Sequence, residues 1–191
     1  MLIEISQMQR LMVFLGHPVY GLSVVLFTIL VFSGIGSATV GANIPSSRAV
    51  IFRVAALLAT LVVAGLLTPL VATWGRAQST DMRILVSVLL LAPPAFCMGM
   101  MFPLGLGVWR RHHELLPFFW STNGITSMFA SVLGVALSIQ FGIARTYALG
   151  VCFYVVCGIV VVTSRHLNTI FTAATKPSVR PGLVAQDEAA S

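Results

Sequence analysis

Acidic residues are scarce in this chain. It has 5 Asp and Glu against 11 Lys and Arg, and charged residues make up 8% of its 191 positions. A soluble domain carries about 25%. With 58% of residues hydrophobic, too few polar side chains exist to cover a water-facing fold of this size, which excludes a soluble globule. Cysteine is also sparse. Cys97, Cys152 and Cys157 all lie in apolar runs, and no Cys-x-x-Cys or Cys/His spacing of a zinc site occurs. They are expected to be small, buried, reduced side chains. No nucleophile or metal set marks an enzyme, so no catalytic, cofactor-binding or metal residue is assigned. The pattern Gly34-x-Gly36 lacks the preceding strand of a nucleotide loop and reads as helix packing. The residues from Met1 are not expected to be a secretory signal, since Glu4 precedes the first cation, Arg10, and no basic segment leads the apolar run.

What fills the chain is hydrophobic runs. In hydrocarbon every backbone N–H and C=O must be satisfied within the protein, which leaves helices as the way to use such runs. The fold expected is all-α, a polytopic helical membrane bundle over residues 1–164. It has five full transmembrane helices, at about 19–40, 50–73, 84–108, 116–141 and 147–163, plus a short N-terminal partial helix. Residues 165–191 form a polar tail, expected to be disordered and cytoplasmic.

The partial helix, Met1 to Leu15, reaches roughly 22 Å at the rise of an α-helix, short of the ~30 Å hydrocarbon core. Gly16-His17-Pro18 ends it. Glu4, Gln7 and Arg10 stand three apart, a spacing that makes neighbours on a helix, so they form one polar ridge. Charged residues within membranes are candidates for function. Glu4 and Arg10 have two options, to pair through Gln7 or to meet the third and fourth spans, and Glu4 has a further one as a cation or proton site. A polar clamp that fixes helix packing explains the ridge equally well.

Small residues recur every fourth position in several spans, which lets helices approach closely in lipid. The pairs are Ser33 with Ser37 and Gly34 with Ala38 in the first span, and Ala56, Thr60, Ala64 and Thr68 in the second. In the fourth, Asn123, Ser127, Ser131, Gly134 and Ser138 make one small, polar face. Asn123 is the residue expected to hydrogen-bond across helices. Pro69 is expected to kink the end of the second span. Pro93-Pro94 and Pro103 interrupt the third, giving either a broken helix of the transporter kind or a simple kink, the latter favoured. His17, beside Pro18, is a lone imidazole at a helix break, better suited to a cap than to catalysis. Adjacent His112 and His113, in the cluster Arg110-Arg111-His112-His113-Glu114, fit loop anchoring better than a metal.

The net charge is +6, but the cations sit in short loops and at span ends. That is a topology signal and not a nucleic-acid surface. Arg48, Arg53, Arg110, Arg111, Arg165, Lys176 and Arg180 fall on one side, against Arg76, Arg83, Arg145 and Arg10 on the other. The positive-inside rule then puts the tail in the cytoplasm.

Several runs resemble the C-terminal membrane region of bacterial spermidine synthase-like membrane proteins. They are Glu4-Ile5-Ser6-Gln7-Met8-Gln9-Arg10, Phe14-Leu15-Gly16-His17-Pro18, Ser33-Gly34-Ile35-Gly36-Ser37, Met98-Gly99-Met100-Met101-Phe102-Pro103 and Trp120-Ser121-Thr122-Asn123-Gly124. The resemblance covers roughly residues 2–164. It implies helices like part of a major facilitator-type bundle, in a bacterial inner membrane, joined to a soluble aminopropyltransferase-like domain or to upstream helices. This chain has no acidic cluster to grip a polyamine, so no catalytic residue carries over. The resemblance also implies that the first helix begins upstream of Met1. Two functions follow as expectations: a non-catalytic module that anchors or regulates such a soluble domain, or a transporter-like bundle for a small, cationic solute. The lipid bilayer is the expected partner, no nucleic acid or cofactor is expected, and self-association is left open.

Overall fold

The computed structural model describes residues 1–40, 47–74, 78–108 and 116–174, with the side chains of residues 47, 107–108 and 164–174 excepted. Among the described residues every element is helical. The order is α1 (Leu2–Leu15), α2 (Pro18–Ala38), α3 (Ser47–Trp74), α4 (Thr80–Val108), α5 (Leu116–Phe141) and α6 (Ile143–Ala174). Helices α2 to α6 each contain a stretch long and apolar enough to cross a membrane. The chain divides into two units, Met1–Gly158 and Ile159–Ser191. The first holds α1 to α5 and the beginning of α6. The second holds the rest of α6, which continues to Ala174 where a tail was expected from residue 165. No proline or glycine stands between Gly158 and Pro177, so nothing local stops the helix once it leaves the apolar stretch.

The breaks follow backbone chemistry. Gly16 takes φ +76°, a left-handed conformation that suits glycine, and its N–H bonds the Met12 carbonyl at 3.2 Å. Pro18 then opens α2 at its first turn, where a missing N–H costs nothing. Inside α3 and α4 the prolines do not break the chain. Pro69 lies within α3, and Pro93, Pro94 and Pro103 lie within a continuous α4. Each proline of α4 leaves the carbonyl four residues earlier, at Leu89, Leu90 and Gly99, without its helical donor.

Helices α2 and α4 make the most extensive helix pair. A Cβ placed on Gly36 would overlap the Phe96 carbonyl, and one placed on Gly99 would overlap the Ser33 carbonyl. Each backbone therefore rests on the glycine of the other, the close approach that small residues permit in lipid. Of the pairs singled out in the first span, Gly34 and Ala38 face outward, and nothing lies within 4 Å of a Cβ built on Gly34. The α3 seam is directed as its spacing suggests, with Ala64 and Thr68 buried. The cysteines divide: Cys97 is buried in α4, whereas Cys152 and Cys157 are exposed on α6. An apolar surround makes small thiols equally acceptable on a lipid-facing side, so an apolar run does not decide burial.

Gly36→Ala or Gly99→Ala is expected to destabilise the bundle by ~1–3 kcal/mol, the usual cost of overpacking. Gly34→Ala is expected to leave stability unchanged or slightly raised. Unfolding midpoints of the three variants in detergent check this.

Candidate functional site

The polar ridge of α1 enters the bundle because glycines on three other helices make room for the helix. On α2, a Cβ at Gly21 would come within 2.8 Å of the Met12 backbone. On α6, a Cβ at Gly150 would stand 2.7 Å from Ile3, and on α5 one at Gly134 would stand 3.3 Å from Leu2. Leu11, Ile3, Leu15 and Phe14 are buried in consequence. Gly65 on α3 opens a fourth gap, filled by the Tyr147 ring at 2.6 Å from its would-be Cβ.

Gln7 is the deepest residue of the ridge, 3% exposed. Its Oε1 lies 3.2 Å from the Thr68 hydroxyl, which also donates to the Ala64 carbonyl at 2.6 Å. Gln7 Nε2 is buried, and the Gln7 amide reaches the Tyr147 side chain. Tyr147 borders the same space, and its hydroxyl donates to the Leu61 carbonyl at 2.6 Å. The Arg10 guanidinium lies over the Tyr147 ring, 5.1 Å from its centroid, a cation–π arrangement. Glu4 pairs with the Met1 amine at 3.4 Å. Glu4 and Arg10 are thus not joined through Gln7. Each has taken a separate partner.

The C-terminal end of α1 is held as well. Arg83, from the first turn of α4, donates to the Phe14 carbonyl at 3.4 Å, and its guanidinium lies 6.0 Å from the Phe14 ring centroid. That carbonyl is one of the last four of α1, which no intrahelical N–H reaches, and a cation there also complements the helix dipole. Arg83 was visible in the sequence only as a topology cation. Nothing in its spacing announced a contact 69 residues away.

Two of the expected site residues stand apart from this cluster. His17 is exposed at the N-cap of α2, makes no side-chain cap bond, and meets Tyr20 edge-on at 5.9 Å. Asn123 is exposed on α5 and does not serve as the cross-helix bond expected of it. The small face of α5 is buried at Gly134 and Ser138, and Gly134 lies against Leu2 and Ile5 of α1. The cluster Arg110 to Glu114, with His112 and His113, lies outside the described residues, as do Arg76, Lys176 and Arg180. Among the described residues no group of three or more His, Cys, Asp or Glu comes together as a metal site.

Two spaces adjoin the proline-bearing helix. A groove of about 500 Å³ runs between α3 and α4, past Thr60, Val63, Leu67, Leu89, Pro93 and Pro94. Its lining carries no charge, and Val63, Leu67 and Leu89 are exposed along it. A cavity of about 20 Å³ lies against the α1 ridge, bordered by Glu4, Gln7, Tyr147, Leu61 and Pro94 among others. Both spaces are lined mainly by apolar side chains.

These features define a class: a multi-pass membrane-type protein, helical throughout its described residues, with a helix that carries a polar ridge packed among its spans. Comparison with protein-family models, curated proteins and solved structures gave no match.

Tyr147→Phe, which deletes the bond to the Leu61 carbonyl and keeps the ring, is expected to cost about 1 kcal/mol. Tyr147→Ala empties the space beside Gly65 and removes the surface under Arg10, and should cost about 3–5 kcal/mol. Detergent unfolding of both variants measures the difference.

Proposed function

We propose that this chain is a non-catalytic integral membrane module of a spermidine synthase-like system, one that anchors or regulates a soluble aminopropyltransferase-like partner. The observation that carries this reading is how the interior polar groups are used. Gln7 lies against Thr68 and Arg10 covers Tyr147. These are packing contacts, and the space beside them is only about 20 Å³, too small for a solute larger than water. The spans themselves are sparsely covered, with between 11% and 33% of each span's most apolar window buried inside the chain. Such helices have much surface left for lipid or for other helices. The link to a spermidine synthase-like partner comes from the sequence runs, Glu4 to Arg10 first among them. In this reading the chain sits in a bacterial inner membrane with its C-terminus in the cytoplasm, as the distribution of Arg and Lys directs.

One observation favours a second reading, a transporter-like bundle for a small cation. Glu4, a carboxylate, borders the interior cavity. A solute larger than water would need that cavity to widen by separating α1 from α3 and α4.

The two readings part in a reconstitution. For a module, uptake of labelled polyamine into vesicles holding the purified chain equals uptake into empty vesicles. An aminopropyltransferase-like protein co-purifies from native membranes and is lost when the chain is truncated after Thr163. Saturable uptake that Glu4→Gln or Arg10→Gln abolishes, with folding intact, would replace the module by the transporter.

A further inference from the structure

Arg10 finds inside the protein a partner for its face and none for its rim. A guanidinium offers flat faces that stack and a rim of five N–H donors, and it keeps its charge. One face lies over the Tyr147 ring, 5.1 Å from the centroid. Among the described residues Arg10 makes no ion pair and no hydrogen bond. The Tyr147 hydroxyl is engaged by the Leu61 carbonyl and the Gln7 amide. Glu4, the acid on the same helix, stands six residues back, about 9 Å along the axis. The Arg10 side chain is half-buried, and none of its nitrogens is among the enclosed polar atoms, so the rim opens at the surface of the bundle.

The depth of that opening follows from α6. Tyr147 is four residues beyond Ile143, where α6 begins, about 6 Å of helix rise from the end of the bundle. The polar headgroup layer is about 5–8 Å thick on each side of the hydrocarbon, and an arginine stem is long enough to bring its head toward it. Trp74, at the end of α3, is exposed at the same end, and such rings favour the headgroup level. Arg83 in the first turn of α4 and the exposed Arg145 in the first turn of α6 add positive charge there, against Asp81. A rim of donors without acceptors is costly in lipid. Phosphodiester oxygens are the acceptors that a membrane brings to this depth, and their spacing matches two parallel N–H bonds from one guanidinium.

We infer that Arg10 is a binding site for the phosphodiester of a membrane phospholipid. The Tyr147 ring fixes the plane of the guanidinium, and the rim donates to the phosphate oxygens. The positive end of the bundle favours a lipid of net negative charge. The inference rests on neither functional reading, because an anchor and a transporter leave the same rim to be filled.

Solid-state NMR of the full chain tests it, in bilayers of phosphatidylglycerol and phosphatidylcholine and a phosphate-free buffer. The measurement is dephasing of the 13C-labelled arginine Cζ signals by lipid 31P, with the Arg10 signal identified by its loss in Arg10→Gln. The expected result is strong dephasing of Arg10, retained in Tyr147→Phe and at least halved in Tyr147→Leu. An Arg10 signal untouched by phosphorus in the folded wild-type chain would overturn the inference and leave the rim to interfacial water. Dephasing by inorganic phosphate in a phosphorus-free detergent, with none in bilayers, would make this a site for a free anion and overturn the lipid. Equal dephasing in the two Tyr147 variants would overturn the role given to the ring.

Discussion

A helix that carries charged and amide side chains into an apolar bundle has to be enclosed by its neighbours, and the rest of this structure follows from how that is done. α1 brings a carboxylate, two glutamine amides and a guanidinium into an apolar bundle. Left against lipid, those groups and the frayed backbone at each end of the helix would lack partners. Glycines at 21, 134 and 150 instead let α2, α5 and α6 come up to the helix, and the Phe14 carbonyl at its end meets Arg83. The close pair of α2 and α4 supplies the floor, through Gly36 and Gly99. Neither set of contacts relies on a hydrophobic driving force between helices, which lipid does not provide. They rely on fit and on hydrogen bonds.

The polar ridge is best understood as part of that fit. Gln7 meets Thr68 on α3 and Arg10 meets Tyr147 on α6. A ridge built to move a solute would gather its charges around a space the solute can enter. Here the charges are apart and the shared space is about 20 Å³. Pro93 and Pro94 border the large apolar groove together with Leu89 and Leu90, whose carbonyls they release, and Pro94 borders the small cavity as well.

Much of the architecture was legible in the sequence, because length and apolarity are sufficient to identify a span. The five spans, the halt at Gly16 and the inward face of α3 at Ala64 and Thr68 all follow from spacing and backbone chemistry. Facing directions were harder to read. A span apolar on every side carries no amphipathic mark, so Gly34 and Gly36 look alike in sequence although only Gly36 touches a neighbour. The same holds for the exposed Cys152 and Cys157. Asn123 shares a face with Gly134 and Ser138, yet it is exposed where they are buried. Which glycines would receive α1 depends on tertiary contacts between residues as distant as Ile3 and Gly150, and no local pattern encodes those.

The seating of α1 is the central claim, and a disulfide can report on it directly. In a chain with Cys97, Cys152 and Cys157 replaced by alanine, Gln7→Cys is paired with Thr68→Cys and oxidised mildly in membranes. The account predicts rapid cross-linking of that pair, seen as loss of free thiol. It predicts none when Thr68→Cys is paired instead with Val13→Cys, whose position is 81% exposed on the outer side of α1. Cross-linking through position 13, or none through position 7 in a folded chain, would mean that the polar ridge does not face α3, and the account would fail.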